Sequence, residues 1–142
     1  MLVFWNGKVF PSIEHAFQGV KFAMSGANDD ILNELIHCTD AVEVQKMGQK
    51  KYFDKCGLKL DINKWSKCSV PLMRHLVKQR ILKDEKYRNI IEKYHNRLYH
   101  FSRAGKRSLW GGYFSKASGL WEGKNLLGKI MDEEYINTCT NA

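Results

Sequence analysis

Three polar side chains near the start of the chain have the types and the spacing from which a chemical site can be built. Glu14, Gln18 and Lys21 stand at positions i, i+4 and i+7, which project from one stripe of an α-helix. A carboxylate, an amide and an amine in a row can serve as a base, a hydrogen-bonding group and a nucleophile. The same spacing is also typical of the solvent-facing side of an ordinary amphipathic helix. The stripe is therefore a candidate site that other features must support.

The local sequence predicts the helix that would hold this stripe. Apolar residues recur at helical spacing from Ile13 to Met24, and Ser25-Gly26 ends the run. Ser12 is a typical N-cap, because its hydroxyl can accept a hydrogen bond from an amide of the first turn. Ahead of it, Asn6-Gly7 separates two short apolar segments and favours a two-residue hairpin turn. We expect a β-hairpin followed directly by the helix.

The rest of the chain predicts more helices. Helical spacing, together with capping residues, predicts helical segments over the ranges 29–36, 40–47, 70–94 and 126–135. The segment 70–94, with Pro71 in its first turn, fits one long helix or two helices that break near Lys83-Asp84. Residues 48–64 are rich in lysine and poorly periodic, which predicts a loop with about one helical turn that could form a lid. The fold class is therefore mainly α with a short N-terminal β-hairpin, in one domain over 1–142.

The segment from Ser102 to Gly123 has an unusual composition. Glycines at 105, 111, 112, 119 and 123 alternate with four aromatic residues, a combination that regular elements tolerate poorly. Loops of this length inside a compact domain are usually functional or disordered, and the aromatic content argues against disorder. The sequence predicts a long ligand-binding loop here.

The net charge of the chain indicates which class of ligand it attracts, but it does not indicate a reaction. A formal net charge of +8 attracts anions such as nucleotides or nucleic acid. No stretch approaches the roughly 20 apolar residues of a membrane span, and the apolar start is too short for a signal peptide, so we expect a cytoplasmic protein. We expect neither a metal nor a cofactor, because the cysteines and histidines lack metal-ligand spacing: Cys38, Cys56, Cys68, Cys139, His15, His37, His75, His95 and His100.

Four blocks of the sequence carry a resemblance to a known family. The first is the string from Phe10 to Phe22, FPSIEHAFQGVKF, which contains the stripe. The other blocks are Ala41-Val42 to Met47-Gly48, Trp65 with Met73, and Trp110-Gly111 followed by GKNLLG over 123–128. In type, spacing and order these blocks resemble the YbiA-like, or NADAR, family of N-glycosidases.

The resemblance implies a reaction class and two catalytic residues. Members of this family are mainly helical single domains that hydrolyse N-glycosidic bonds to ribose, in riboflavin-pathway intermediates or in ADP-ribosylated guanine of nucleic acid. Glu14 would stabilise the oxocarbenium character of the ribose or activate water. Lys21 would trap the ring-opened ribose aldehyde as an imine, which requires a neutral amine.

The resemblance also implies substrate-binding residues. Gln18 would bind ribose hydroxyls, Trp110 would stack on a base or a flavin-like ring, and Asn125 would bind a hydroxyl or a phosphate. Gly111, beside Trp110, is a further substrate-binding position. Core packing is an equal alternative for Trp110, and a plain helix cap is the more common role for a residue such as Asn125. Trp65 is expected to lie in the core.

One departure from the family pattern favours an alternative. The family has a further acidic residue beside the Trp-Gly pair, where this chain has Arg107, Ser108, Gly111 and Gly112. Loss of an acid–base partner costs on the order of 10² to 10⁴ in rate, which predicts a weak or inactive enzyme. The alternative is a noncatalytic module with a degenerate pocket that binds ADP-ribose, nucleotides or nucleic acid, as the net charge favours. A helical protein-interaction domain is a third alternative.

Overall fold

The computed structural model describes residues 3–5, 7–95, 97–100 and 108–139. The helices in these ranges are α1 (Ile13–Met24), α2 (Asp29–His37), α3 (Ala41–Met47), α4 (Lys50–Lys55), α5 (Ile62–Lys83), α6 (Glu85–Lys93) and α7 (Leu126–Cys139). The strands form two antiparallel pairs, β1 (Val3–Trp5) with β2 (Lys8–Phe10) and β3 (Tyr113–Phe114) with β4 (Trp121–Glu122). The predicted mainly α fold class is therefore confirmed. Among the described helices, none has the length and apolar character needed to cross a membrane.

The N-terminal hairpin packs directly on α1. Trp5 pairs with Lys8, which leaves a two-residue turn, and Gly7 has φ 76°, the left-handed conformation that a type I′ turn requires. Asn6, the other residue of the predicted turn, lies outside the described residues. Phe10 is 2% exposed, and its ring rests on Gly19 of α1, where a Cβ would collide with it. The predicted hairpin is confirmed, and the missing side chain of Gly19 lets it approach the helix.

Helix α1 begins at the predicted cap and is tied to the end of α2. The Ser12 Oγ accepts a hydrogen bond from the backbone N–H of His15 at 3.1 Å. The buried His15 ring contacts Ser12 Oγ through Nδ1 and the Cys38 carbonyl through Nε2, both at 2.6 Å. Because a carbonyl can only accept, Nε2 carries the proton, and in the neutral ring Nδ1 accepts from Ser12. His15 therefore fixes α1 against α2.

The chain divides into two compact units, residues 1–76 and 77–142, with the boundary inside α5. The expectation of one domain over 1–142 stays a prediction. A cluster of buried apolar side chains from α1 to α4 and the following loop forms the core of the first unit: Phe22, Leu32, Leu35, Val44, Met47, Phe53 and Leu58. The Phe22 ring meets Phe53 edge-on at a centroid distance of 5.1 Å. This core holds α1 against the helices that follow it.

The prediction of a loop with about one helical turn over 48–64 is only partly confirmed, because residues 56–61 are not helical but the helices take more of the segment than expected. This segment forms α4 and the first residues of α5, which begins eight residues before the predicted range, so that Pro71 lies inside α5 rather than in its first turn. Gln49, the N-cap of α4, makes no side-chain capping bond, so its sequence carries no start signal. Burial of Phe53 and Leu58 decides the structure instead, because packing overrides weak local propensity. The buried Phe53 and Leu58 side chains hold this segment in the core of the first unit, whereas a lid would have to move away from the core.

Two further segments refine the expectations. The helical pattern over 70–94 breaks at Asp84, whose carboxylate caps α6 by accepting from the Tyr87 amide at 3.2 Å, as the two-helix alternative predicted. The described part of the expected aromatic-glycine loop, from Ser108 onward, contains the β3–β4 pair, so an irregular loop throughout is wrong. Tyr113 stabilises this pair by donating its hydroxyl to the Glu122 carboxylate at 2.7 Å. Residues 102–107 of that loop lie outside the described residues.

The first unit should depend strongly on Phe22, which is fully buried. Replacing a buried phenylalanine with alanine removes contacts and leaves a cavity, so Phe22→Ala should lower the free energy of unfolding by about 3–5 kcal/mol. Urea denaturation measures the loss. The control is Phe114→Ala, because Phe114 is 61% exposed and its truncation should change stability by no more than about 0.5 kcal/mol. Equal losses in the two variants would contradict this core.

Candidate functional site

The structure brings the three stripe residues together on α1. The Gln18 side-chain amide donates to Glu14 Oε1 at 3.1 Å. Gln18 is 7% exposed, while Glu14 and Lys21 are half-buried. The stripe therefore does not form the solvent-facing side of an ordinary amphipathic helix.

The amine of Lys21 occupies a defined environment. Its Nζ donates to the backbone carbonyl of Gly48 at 2.5 Å and lies 5.4 Å from the ring centroid of Phe53 and 5.9 Å from that of Trp65. Burial lowers the pKa of Lys21, and the negative charge of Glu14 opposes this effect. The neutral fraction of this amine at a given pH is consequently larger than that of an ordinary lysine. A neutral amine is what nucleophilic attack on a carbonyl requires.

A cavity of about 340 Å³ adjoins Lys21, in the lower part of the roughly 300–1,000 Å³ range of small-molecule sites. Its lining combines apolar side chains with three lysines and one carboxylate: Lys21, Gly48, Lys50, Phe53, Asp54, Leu58, Lys59, Leu60 and Ile62. Lys50 pairs with Asp54 at 2.7 Å, so part of this charge is balanced locally. Among the stripe residues, Lys21 alone lines the cavity. The cavity favours an anionic ligand of modest size.

Three residues at this site were not predicted from the sequence as parts of it. Gly48 supplies the carbonyl for Lys21, and Phe53 and Trp65 supply the rings beside the amine. Trp65 was expected in the core, yet it is half-buried, with its ring 5.0 Å from that of Phe17. Gly48 and Trp65 occur in the second and third sequence blocks, which is the only signal that could have identified them.

The second group of predicted residues lies in the unit 77–142. Asn125 is 8% exposed and has φ 49°. Its Oδ1 accepts from the His100 amide at 2.9 Å, and its Nδ2 donates to the Leu98 carbonyl at 2.7 Å. The oxygen and the nitrogen of the Asn125 amide thus both bind backbone groups. Contact of Asn125 with a substrate hydroxyl or phosphate stays a prediction. The role of Asn125 in the structure is to join the chain near residue 99 to the start of α7.

Gly111 and Trp110 flank this junction. A Cβ on the buried Gly111 would collide with the His100 carbonyl, and the Gly111 carbonyl accepts from the Asn125 amide at 3.2 Å. Trp110 is half-buried, and its carbonyl accepts from the Leu127 amide at 3.0 Å. The arrangement explains why a glycine stands at 111, while stacking of Trp110 on a substrate ring stays a prediction. Arg107, which the sequence comparison placed near the expected acidic residue, lies outside the described residues.

Over the ranges that the structure describes, no three His, Cys, Asp or Glu side chains are grouped so as to hold a metal ion.

The junction at Asn125 should contribute to stability. Asn125→Ala removes the side-chain partners of the His100 amide and the Leu98 carbonyl and places alanine at a positive φ, so the free energy of unfolding should fall by roughly 2–4 kcal/mol. Thermal or urea denaturation measures this loss. The matched control is Asn137→Ala, at an exposed position of α7, which should be nearly neutral. A neutral Asn125→Ala would show that the two side-chain bonds contribute nothing.

The amine of Lys21 should titrate below the ordinary lysine value of 10.5. Between its lowered pKa and 10.5, the folded protein binds fewer protons at this residue than the unfolded chain does. The contribution of Lys21 to the free energy of unfolding therefore rises with pH across that window. Carbon-13 NMR of the lysine side chains follows the titration directly, with Lys21→Met to assign the resonance. A midpoint at or above 10.5 would contradict the inferred burial.

Comparison of this chain with protein-family models, with curated proteins and with solved structures finds no match. The resemblance to the YbiA-like family stays a prediction from the sequence blocks.

Proposed function

We propose that this protein is an N-glycosidase that hydrolyses an N-glycosidic bond to ribose. Its substrate is an ADP-ribosyl or ribosylamine-type compound, the latter being of the riboflavin-intermediate kind. The observation that carries the proposal is the arrangement on α1, where Glu14 is bound by the Gln18 amide and the half-buried Lys21 amine lines a cavity. The sequence blocks that resemble the YbiA-like family support the reaction class.

Glu14 is the proposed catalytic carboxylate. Breaking the bond between ribose C1 and the base nitrogen leaves positive charge on the sugar, which a nearby carboxylate stabilises. The electron pair of the broken bond leaves with the base. Water then adds to C1 and loses a proton, and the base takes up a proton. The bond from Gln18 fixes the orientation of the carboxylate for this step.

Lys21 is the proposed nucleophile for the ring-opened sugar. Its neutral amine adds to the C1 aldehyde, and loss of water gives an imine that hydrolysis returns to amine and aldehyde. Borohydride reduces the same imine to a stable secondary amine. The burial that lowers the pKa of Lys21 supports this role, since it increases the fraction of neutral amine.

Charge supports the substrate class. Lys50 and Lys59 line the cavity beside Lys21, and the chain carries a net charge of +8, so a phosphate-bearing sugar would be attracted. We propose that the partner is a nucleotide-like small molecule or ADP-ribosylated guanine in nucleic acid. The four free cysteines suit a reducing compartment, and we propose that the protein acts in the cytoplasm.

A noncatalytic ADP-ribose, nucleotide or nucleic-acid binding module with a degenerate pocket is the alternative. The observation that favours it is that Lys21 is engaged by the Gly48 carbonyl while Glu14 does not line the cavity. In such a module the lysines would hold the phosphates, and the sugar would stay intact. The two functions differ in whether a covalent bond forms to Lys21 and whether a base is released.

Covalent trapping tests the proposal. After incubation with ADP-ribose and reduction with borohydride, intact-mass spectrometry should show one added ADP-ribosyl group, and peptide mapping should place it on Lys21. Lys21→Met should abolish the adduct, and the exposed control Lys46→Met should retain it. Glu14→Gln should lower release of the base from an ADP-ribosylated guanosine by about 10²- to 10⁴-fold.

Two outcomes would exclude the enzyme. One is an unmodified wild-type mass, together with base release that is indistinguishable from buffer. The other is base release that Glu14→Gln leaves unchanged. If ADP-ribose still binds while no base is released, the binding module is the better description.

A further inference from the structure

Gly48 contacts two residues of the stripe, Lys21 and Gln18. Its carbonyl accepts the bond from Lys21, and its Cα faces the side-chain amide of Gln18, which in turn binds Glu14. We infer that Gly48 is the positioning residue of the site, which holds the amine through its carbonyl and orients the carboxylate through Gln18. The inference rests on the proposed function for its effect on catalysis.

The backbone conformation does not explain the glycine. Gly48 has φ −77° and ψ 0° as the C-cap of α3, a right-handed conformation open to any residue. Gly26, by contrast, has φ 91° and open space where a Cβ would lie. At Gly48 a Cβ would collide with the Oε1 and Cδ atoms of Gln18. The glycine is therefore required by the space that the amide occupies.

Gln18 has little freedom to move away. The side chain is 7% exposed, and its Nε2 already binds Glu14. Its Oε1 is buried, and no donor among the described residues reaches it. A buried acceptor without a partner is unfavourable, so packing against Gly48 must hold the amide in this orientation. Pushing the amide out of place would break the bond that orients the Glu14 carboxylate.

The carbonyl of Gly48 has a separate effect on the amine. It belongs to the last turn of α3, where carbonyl groups lack helical partners and carry partial negative charge. It therefore holds the Lys21 amine in one place beside the cavity. A substitution of Gly48 that keeps the backbone conformation would displace the Gln18 amide, but it would leave the carbonyl that binds Lys21 in place.

A double-mutant cycle separates these effects. Gly48→Ala should displace the Gln18 amide and lower the rate of base release by up to about 10²-fold relative to the wild type, the scale of loss for a misplaced group. The rate should then lie within about threefold of the rate of Gln18→Ala. The double variant Gly48→Ala/Gln18→Ala should lose nothing more, because the methyl group then has room. The control is Gln45→Ala, on the exposed side of α3, which should keep the wild-type rate.

NMR of the Gln18 side-chain amide tests the positioning without any enzymatic activity. The amide resonance should move in Gly48→Ala and stay in place in Gln45→Ala, while the Lys21 titration midpoint should change little. If the wild-type protein releases no base and the resonance still moves, the proposed function fails and the positioning holds. An unmoved resonance in Gly48→Ala, or losses of rate that simply add in the double variant, would overturn the inference.

Folding of the variants is part of the same test. If Gly48→Ala does not fold, the collision with Gln18 predicts that Gly48→Ala/Gln18→Ala folds again, which circular dichroism would show. A double variant that stays unfolded would mean that folding requires Gly48 for a reason other than the space that Gln18 occupies.

Discussion

The close approach of α1 to the turn at Gly48 is the constraint on which the candidate site depends. The Lys21 amine binds the Gly48 carbonyl there, and the Gln18 amide occupies the space that a Cβ at residue 48 would need. The approach is set elsewhere, by the buried cluster that includes Phe22 and Val44, and by the bond from His15 to the Cys38 carbonyl. The core therefore fixes the site, because tightly packed side chains leave little room for α1 to shift.

The environment of Lys21 combines two opposing effects. Burial removes water from the ammonium group, which is unfavourable, while a carbonyl and two aromatic faces replace part of that hydration. The pKa of Lys21 stays lowered, so this replacement is incomplete. An arrangement of this kind costs stability and is common where a group is kept reactive, since sites under functional selection are rarely optimal for folding.

The sequence predicted those parts of the structure that local rules determine. Asn6-Gly7 and Ser12 led to the hairpin and to the start of α1, and the helical period led to the common face of Glu14, Gln18 and Lys21. Helix α4 was predicted only as about one helical turn within a loop, because the burial of Phe53 decides it and no capping signal marks it. The contacts of Gly48 were missed for a related reason. The bond from Lys21 to Gly48 joins residues 27 positions apart in the chain, and the spacing of residue types in a sequence does not show which distant residues meet.

Two buried side-chain amides among the described residues, those of Gln18 and Asn125, differ in their hydrogen bonds. In the second unit, Asn125 binds backbone with both its Oδ1 and its Nδ2, as structural amides do. In the first unit, Gln18 binds Glu14 through Nε2 but leaves Oε1 without a donor among the described residues. Buried polar atoms without a partner also occur among the described residues of the second unit, at Trp121 and Thr138, so this feature alone does not mark a functional site. The two backbone bonds of Asn125 maintain the structure of the second unit, and the chemistry that we propose uses the group around Gln18 in the first unit.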